Sequence, residues 1–242
     1  MSKSKKVVLI TGGSRGIGKA LVNRFKEGDW IVATCATQES HLKNSSADLV
    51  FECDVSDVEA VKKGIQKVLN QCGRLDALIN NAGTVGNNPL DPGSSDELWH
   101  RIIDVNLNGT YYMCKLAAPH LPDGTGKIVN IASVLALKGV PDATAYCAAK
   151  HGVLGFTRAF AHVLARRKIT VNAICPGWVR TDMGAERMQE IGITEKDIQR
   201  SVPLGRLIEP TEIADLTYTL CNSQGSAMIT GQAISIDGGI LP

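Results

Sequence analysis

The chain has 242 residues, of which 44% are hydrophobic and 21% charged, and a formal net charge of +2. This is the composition of a soluble globular protein with a full core, long enough for one large α/β domain or two small ones. So small a charge, spread over both halves, gives no ground for nucleic-acid binding, and the apolar run Val7–Ile10 is far too short to span a membrane.

Short β-branched runs alternate with helical patterns from end to end. Val7–Thr11, Ile31–Cys35, Leu49–Glu52, Ala77–Asn80, Ile128–Ile131, Thr170–Ile174 and Ala233–Ile236 read as strands. Several are apolar on both faces, as in a parallel sheet covered on each side by helices. Between them Gly16–Glu27, Asp57–Gln71, Asp96–Ala117, Thr144–Arg166 and Pro210–Leu220 read as helices, with capping-box starts at Ser56-x-x-Glu59 and Ser94-x-x-Glu97. The alternation predicts right-handed βαβ units in one doubly wound sheet of about seven strands. No linker, repeat or low-complexity stretch interrupts it, so residues 1–242 are read as one domain. Thr181–Gly205 is the exception, a long segment of helical composition with no strand beside it. It is placed either to cover a substrate or to form an ordinary surface hairpin.

Seven cysteines form no CxxC pair, and no secretory segment follows Met1–Lys6, so they read as reduced thiols of a cytosolic protein. The five histidines show no ligand spacing, which argues against a metal.

The first strand runs into Thr11-Gly12-Gly13-Ser14-Arg15-Gly16-Ile17-Gly18 and then a helix. Glycines let backbone approach a diphosphate, and a helix N-terminus offers free N–H groups. The spacing is GxxxGxG, which meets the ordinary dinucleotide fingerprint only approximately. The second strand ends at Thr34-Cys35-Ala36-Thr37, where an NAD-preferring fold places an acid. Nothing there repels a 2′-phosphate, and Arg15 supplies a charge to pair with one, so NADP is favoured over NAD. Glu39 stands close enough in sequence to reach the ribose if the strand end shifts. Asp54 and Asn80-Asn81-Ala82-Gly83 follow strands whose C-termini face the ligand crevice, although Asp54 also suits a turn cap and the Asn pair a loop.

Tyr146 and Lys150, with Ser133 thirteen positions upstream of Tyr146, carry the strongest chemical signal. A phenol and an ammonium four residues apart share one helix face. At about 4 Å and an effective dielectric near 20 they interact by roughly 4 kcal/mol, enough to move a tyrosine from about 10 towards about 7. Such a phenol trades a proton with a carbonyl or alcohol oxygen that Ser133 holds. The same spacing is also common on plain helix surfaces.

The chain resembles a classical short-chain dehydrogenase/reductase over nearly its whole length. The matching pieces are Thr11-Gly12-x-x-x-Gly16-x-Gly18, Asp54-Val55, Asn80-Asn81-Ala82-Gly83, Asn106, Ser133, Tyr146-x-x-x-Lys150, Pro176-Gly177 and Asp237-Gly238-Gly239. The resemblance implies a Rossmann-type fold and a catalytic tetrad of Asn106, Ser133, Tyr146 and Lys150. In it Tyr146 is the acid/base, Ser133 positions the substrate oxygen, and Lys150 lowers the phenol pKa and binds the nicotinamide ribose. Asn106 interrupts its helix to support a water leading to Lys150. The implied cofactor contacts are Gly12, Ser14, Arg15, Gly16, Ile17, Gly18, Ala36, Asp54, Val55, Asn80, Ala82, Gly83, Tyr146, Lys150, Pro176, Gly177, Val179 and Thr181.

Tyr146–Thr157, Ile169–Gly177, Thr181-Asp182-Met183 and Gly205-Arg206 are most similar to 3-oxoacyl-acyl-carrier-protein reductases of fatty acid biosynthesis and to acetoacetyl-CoA and polyketide ketoreductases. That likeness implies NADPH, a cytoplasmic homotetramer, and docking of an acidic carrier protein at Lys127 and Arg167. Arg166-Arg167-Lys168 equally suits a helix C-terminus for dipole reasons. An apolar substrate pocket is expected from Leu135, Leu137, Val140, Met183 and Met188 in the segments Val134–Thr144, Thr84–Gly93 and Met183–Val202. The leading expectation is reduction of a 3-oxoacyl thioester. The alternatives are an alcohol dehydrogenase of a sugar, polyol or cyclic alcohol, and a non-catalytic dinucleotide-binding protein.

Overall fold

The computed structural model describes residues 5–241 other than 44, 89, 91 and 94, and of Glu39 the backbone only. Seven strands form one sheet in the order β3-β2-β1-β4-β5-β6-β7, every neighbouring pair parallel. They are β1 Val7–Thr11, β2 Ile31–Ala36, β3 Leu49–Glu52, β4 Ala77–Asn80, β5 Lys127–Ile131, β6 Thr170–Pro176 and β7 Ala233–Ile236. Every residue of β1, β4, β5 and β6 is buried, as β-branched runs without polar alternation require.

Helices cover both faces. Helix α1 (Gly16–Glu27) and helix α8 (Pro210–Asn222) bury Leu21, Val22, Phe25, Ile213 and Leu220 on one side. On the other lie α2 (Val58–Cys72), α4 (Gly109–Ala117) and α5 (Thr144–Leu164). Their stripes, such as Val61, Ile65 and Val68, repeat at helical spacing over β1, β2 and β4. The winding reverses between β1 and β4, so their C-terminal loops part and open a crevice.

Three readings need correction. Asp57, not Ser56, caps α2: its carboxylate accepts from the N–H groups of Glu59 and Ala60 at 2.9 and 3.3 Å. The cap proposed at Ser94 lies outside the described residues, and Ser95 caps α3 (Asp96–Ile103) by accepting from Glu97 N at 3.1 Å. The stretch expected as one helix to Ala117 is broken by a π-helical turn over Asp104–Asn108. The segment after β6 folds as two short helices, α6 (Asp182–Glu190) and α7 (Glu195–Ser201), which reach over the crevice.

Candidate active site

The crevice is a cleft of about 990 Å³ along the C-terminal ends of the strands. At one end the loop after β1 is locked to the end of β4. Thr11 Oγ1 accepts from Asn81 N and Ala82 N at 3.0 Å each, and Asn81 Nδ2 donates to the Thr11 and Gly12 carbonyls at 3.0 and 3.1 Å. Gly12 has φ +71°, and a Cβ on Gly18 would stand 2.0 Å from the Gly12 carbonyl oxygen. Larger residues are excluded at both positions. No side chain caps α1 at Arg15, and the first turn holds no acid, so its N–H groups face the cleft free. A diphosphate fits that cradle.

All the proposed cofactor residues but one border this cleft. The exception is Asn80. Its side chain points into the core, where Nδ2 donates to Asn130 Oδ1 at 2.8 Å and Cys114 Sγ at 3.1 Å. Alternation along β4 turns Asn80 away and hands the cleft position to Asn81. Asp54 reaches the cleft with its carboxylate already engaged by Ser56 and, at 3.1 Å, by Arg101 Nη1.

Cys35, Ala36, Thr37 and His41 line the end where an adenosine ribose would lie, with Arg15 beside them. The Glu39 side chain lies outside the described residues. Arg15 pairs with Glu186 of α6 at 3.5 Å, both well exposed, a contact weak enough to yield to a phosphate. Asn81 belongs to the Asn80–Gly83 motif singled out in the sequence but not to the implied contacts, and His41 escaped the sequence reading, since its loop position carries no periodic signal.

At the other end, Asn106, Ser133, Tyr146 and Lys150 meet on the cleft wall. Ser133 caps a single 3-10 turn by accepting from Leu135 N at 3.1 Å, which brings its hydroxyl to Tyr146. Asn106 is fully buried in the π-helical turn, and its amide donates to the Thr84 and Ile102 carbonyls at 2.8 and 2.9 Å. The turn thereby holds the loop after β4 against the site.

The expected acidification of Tyr146 by Lys150 is not what the structure gives. Lys150 Nζ donates to the Ile131 carbonyl at 2.9 Å and lies 5.5 Å from the Tyr146 ring centroid. Tyr146 keeps part of its surface on the cleft, but the atoms packed round it strip water from the phenolate. Burial therefore pushes the phenol up to about 12, against a smaller opposing effect from the Ser133 hydrogen bond. The same burial pushes Lys150 down to about 8. Desolvation outweighs attraction here, so at neutral pH the phenol keeps its proton.

Leu135, Val140 and Met183 line the substrate end, whereas Leu137 is 41% exposed outside it and Met188 packs with Ile198 and Val202 inside the α6–α7 segment. Arg187 of α6 is the unforeseen residue. Nine-tenths buried, it pairs with Asp142 before α5 and with Glu190, whose carboxylate accepts from Asn87 N at 2.8 Å. These bonds tie α6 to both facing loops. Arg187→Met is expected to raise the KM of the carbonyl substrate several-fold and to lower stability by about 1–3 kcal/mol, leaving the KM of NADPH unchanged; steady-state kinetics and thermal melts check this.

The two proposed carrier contacts are elsewhere. Lys127 opens the interior strand β5 at the N-terminal end of the sheet, away from the cleft, and is nine-tenths buried, with burial and Lys6 lowering its pKa. Arg167 binds Asp123 at 2.7 Å and donates to the Ala118 and Leu121 carbonyls, which it caps. Neither is a free cation beside the cleft mouth.

Residues 12–241 match the family model described as enoyl-(acyl carrier protein) reductase. The chain belongs to the short-chain dehydrogenase/reductase family. It is 37% identical to a 3-oxoacyl-[acyl-carrier-protein] reductase of Thermotoga maritima (98% of each chain) and 38% identical to an acetoacetyl-CoA reductase of Shinella zoogloeoides (97% of this chain, 98% of the relative). Among solved structures it resembles a single-substitution variant of an actinorhodin polyketide ketoreductase with NADPH, with a TM-score of 0.90, 35% identity and 99% of each chain covered. An aldohexose dehydrogenase of Thermoplasma acidophilum is similar at a TM-score of 0.89 and 32% identity over 98% of this chain and 94% of that one.

Proposed function

We propose that this protein reduces a 3-oxoacyl thioester, carried on an acyl-carrier protein or coenzyme A, to the 3-hydroxyacyl form with NADPH. The observation that carries this reading is Tyr146, half-buried on the cleft wall beside Ser133 and Lys150, its phenol held well above neutral pH by desolvation. The glycine cradle and Arg15 would hold NADPH, which when bound would supply the hydride for the carbonyl carbon. Ser133 holds the substrate oxygen, and the Tyr146 hydroxyl gives that oxygen its proton. The Lys150 ammonium steadies the negative charge left on the phenol, and Asn106 fixes the loop that bounds the site. Leu135, Val140 and Met183 offer the acyl chain an apolar wall. The relatives named for thioester reduction support this substrate class.

Steady-state turnover of acetoacetyl-CoA with NADPH, beside a panel of sugars and cyclic alcohols with NADP and NAD, tests the proposal. Preference for the panel would install the second reading, alcohol oxidation, which the likeness to an aldohexose dehydrogenase favours. Arg15→Ala is expected to raise the KM of NADPH by about five- to ten-fold, through loss of a charge-assisted contact, and to leave that of NADH nearly unchanged. An equal change for both would show that Arg15 does not meet the 2′-phosphate.

The same reading includes a homotetramer paired through α4 and α5. Exposed Val163 and Tyr111, the latter edge-on to Phe156 at 6.0 Å, give that face an apolar character. A cytoplasmic setting fits the free thiols, and no helix among the described residues is long and apolar enough to cross a membrane.

A further inference from the structure

We propose that Cys35 and Cys53 form a redox-sensitive pair in the cofactor cleft, which a peroxide closes into a disulfide and thereby weakens NADPH binding. The bond itself does not depend on the reductase reading; its kinetic effect does.

Cys35 lies next to the end of β2 and Cys53 directly follows β3. In the parallel pairing Cys35 stands opposite Phe51, so period-2 alternation puts Cys53 on the same face as Cys35. The Cys53 N–H donates to the Ala36 carbonyl at 2.8 Å, holding the two strand ends together. The two thiols influence each other's ionisation, Cys35 holding its proton more firmly and Cys53 releasing its own more readily. Both are nearly fully buried in protein, yet among the described residues they are the only cysteines that border the cleft.

That mutual influence divides the labour. It favours the Cys53 thiolate, against the repulsion of Asp54 and Asp57, and leaves Cys35 as the thiol that keeps its proton. Cys53 Sγ attacks one oxygen of hydrogen peroxide, the O–O bond breaks, and a sulfenic acid and water result. Cys35 Sγ then displaces the remaining oxygen as a second water and the S–S bond forms. Two thiols lose two electrons and two protons in all, and the peroxide takes them.

A disulfide of about 2.05 Å draws the sulfurs closer than any thiol hydrogen bond. Two features of the cleft sit on the strand end that moves. Ala36 lines the ribose end, and the Cys35 carbonyl accepts from Gly12 N at 2.8 Å, anchoring the diphosphate loop.

The test is to treat the full-length protein with hydrogen peroxide, alkylate it, and digest it with trypsin without reductant. Cleavage after Lys26, Lys43 and Lys62 puts the two cysteines in separate peptides, 27–43 and 44–62. The expected result is a disulfide-linked pair of those peptides, with the KM of NADPH raised at least about five-fold and restored by dithiothreitol. In Cys53→Ala the KM of NADPH is expected to be the same before and after peroxide, each preparation being its own reference. A Cys53 sulfinic acid without linked peptides overturns the proposal. So does a linked pair with unchanged NADPH affinity, or a Cys53→Ala protein that still responds. Should the protein turn over no carbonyl, the linked peptides and NADPH fluorescence titration still decide the question.

Discussion

Tyr146→Phe is expected to lower kcat for carbonyl reduction by about 10³-fold while NADPH still binds. The substitution removes one oxygen from a ring packed against Ile102, Ala145 and Ala149, so the wall keeps its shape. What is lost is the proton that neutralises the oxygen as hydride arrives at carbon. Because burial holds the phenol at about 12, the wild-type residue carries this proton at every physiological pH. Single-turnover reduction and fluorescence titration of NADPH separate the two effects. A variant that kept most of its activity would show that another group donates.

Lys150→Met is expected to abolish turnover and yet make the fold more stable. A lysine held at about 8 in the native protein, against an ordinary 10.5, costs about 3 kcal/mol at neutral pH, where the unfolded chain bears the same charge in water. Replacing it removes that cost and also the hydrogen bond to the Ile131 carbonyl, worth about 1 kcal/mol. The net gain is about 2 kcal/mol near pH 7. Above about 8 the native lysine sheds its proton while the unfolded one retains it, so the wild type gains stability as pH rises to about 10.5. The advantage of the variant therefore fades across that window. Chemical denaturation of both proteins at neutral and alkaline pH measures it.

The strands were readable because β-branched runs between helical stretches have few other uses, and Val7–Thr11, Leu49–Glu52, Ala77–Asn80 and Ala233–Ile236 agree to the residue. Helix interruptions were not. The π-helical turn at Asp104–Asn108 keeps helical composition, and only the resemblance pointed to Asn106 there. At the site, spacing brought Tyr146 and Lys150 to one face but said nothing of how much water the fold removes. That is why the direction of the phenol shift was misjudged. The burial of Lys127 was hidden for a similar reason, since a cation in a sequence looks exposed, whereas strand β5 buries it at the N-terminal end of the sheet. Arg187 was invisible because its partners Asp142 and Glu190 are joined to it only by tertiary folding.

The most direct measurement is the rate of acetoacetyl-CoA reduction with NADPH between about pH 6 and about pH 10. A protonated Tyr146 beside a charged Lys150 gives a plateau at the acid end and a fall centred near pH 8, where the ammonium discharges. A rate that climbs through that range would require an ionised phenol and would contradict the assignment of Tyr146 as proton donor, as would the absence of thioester turnover at any pH.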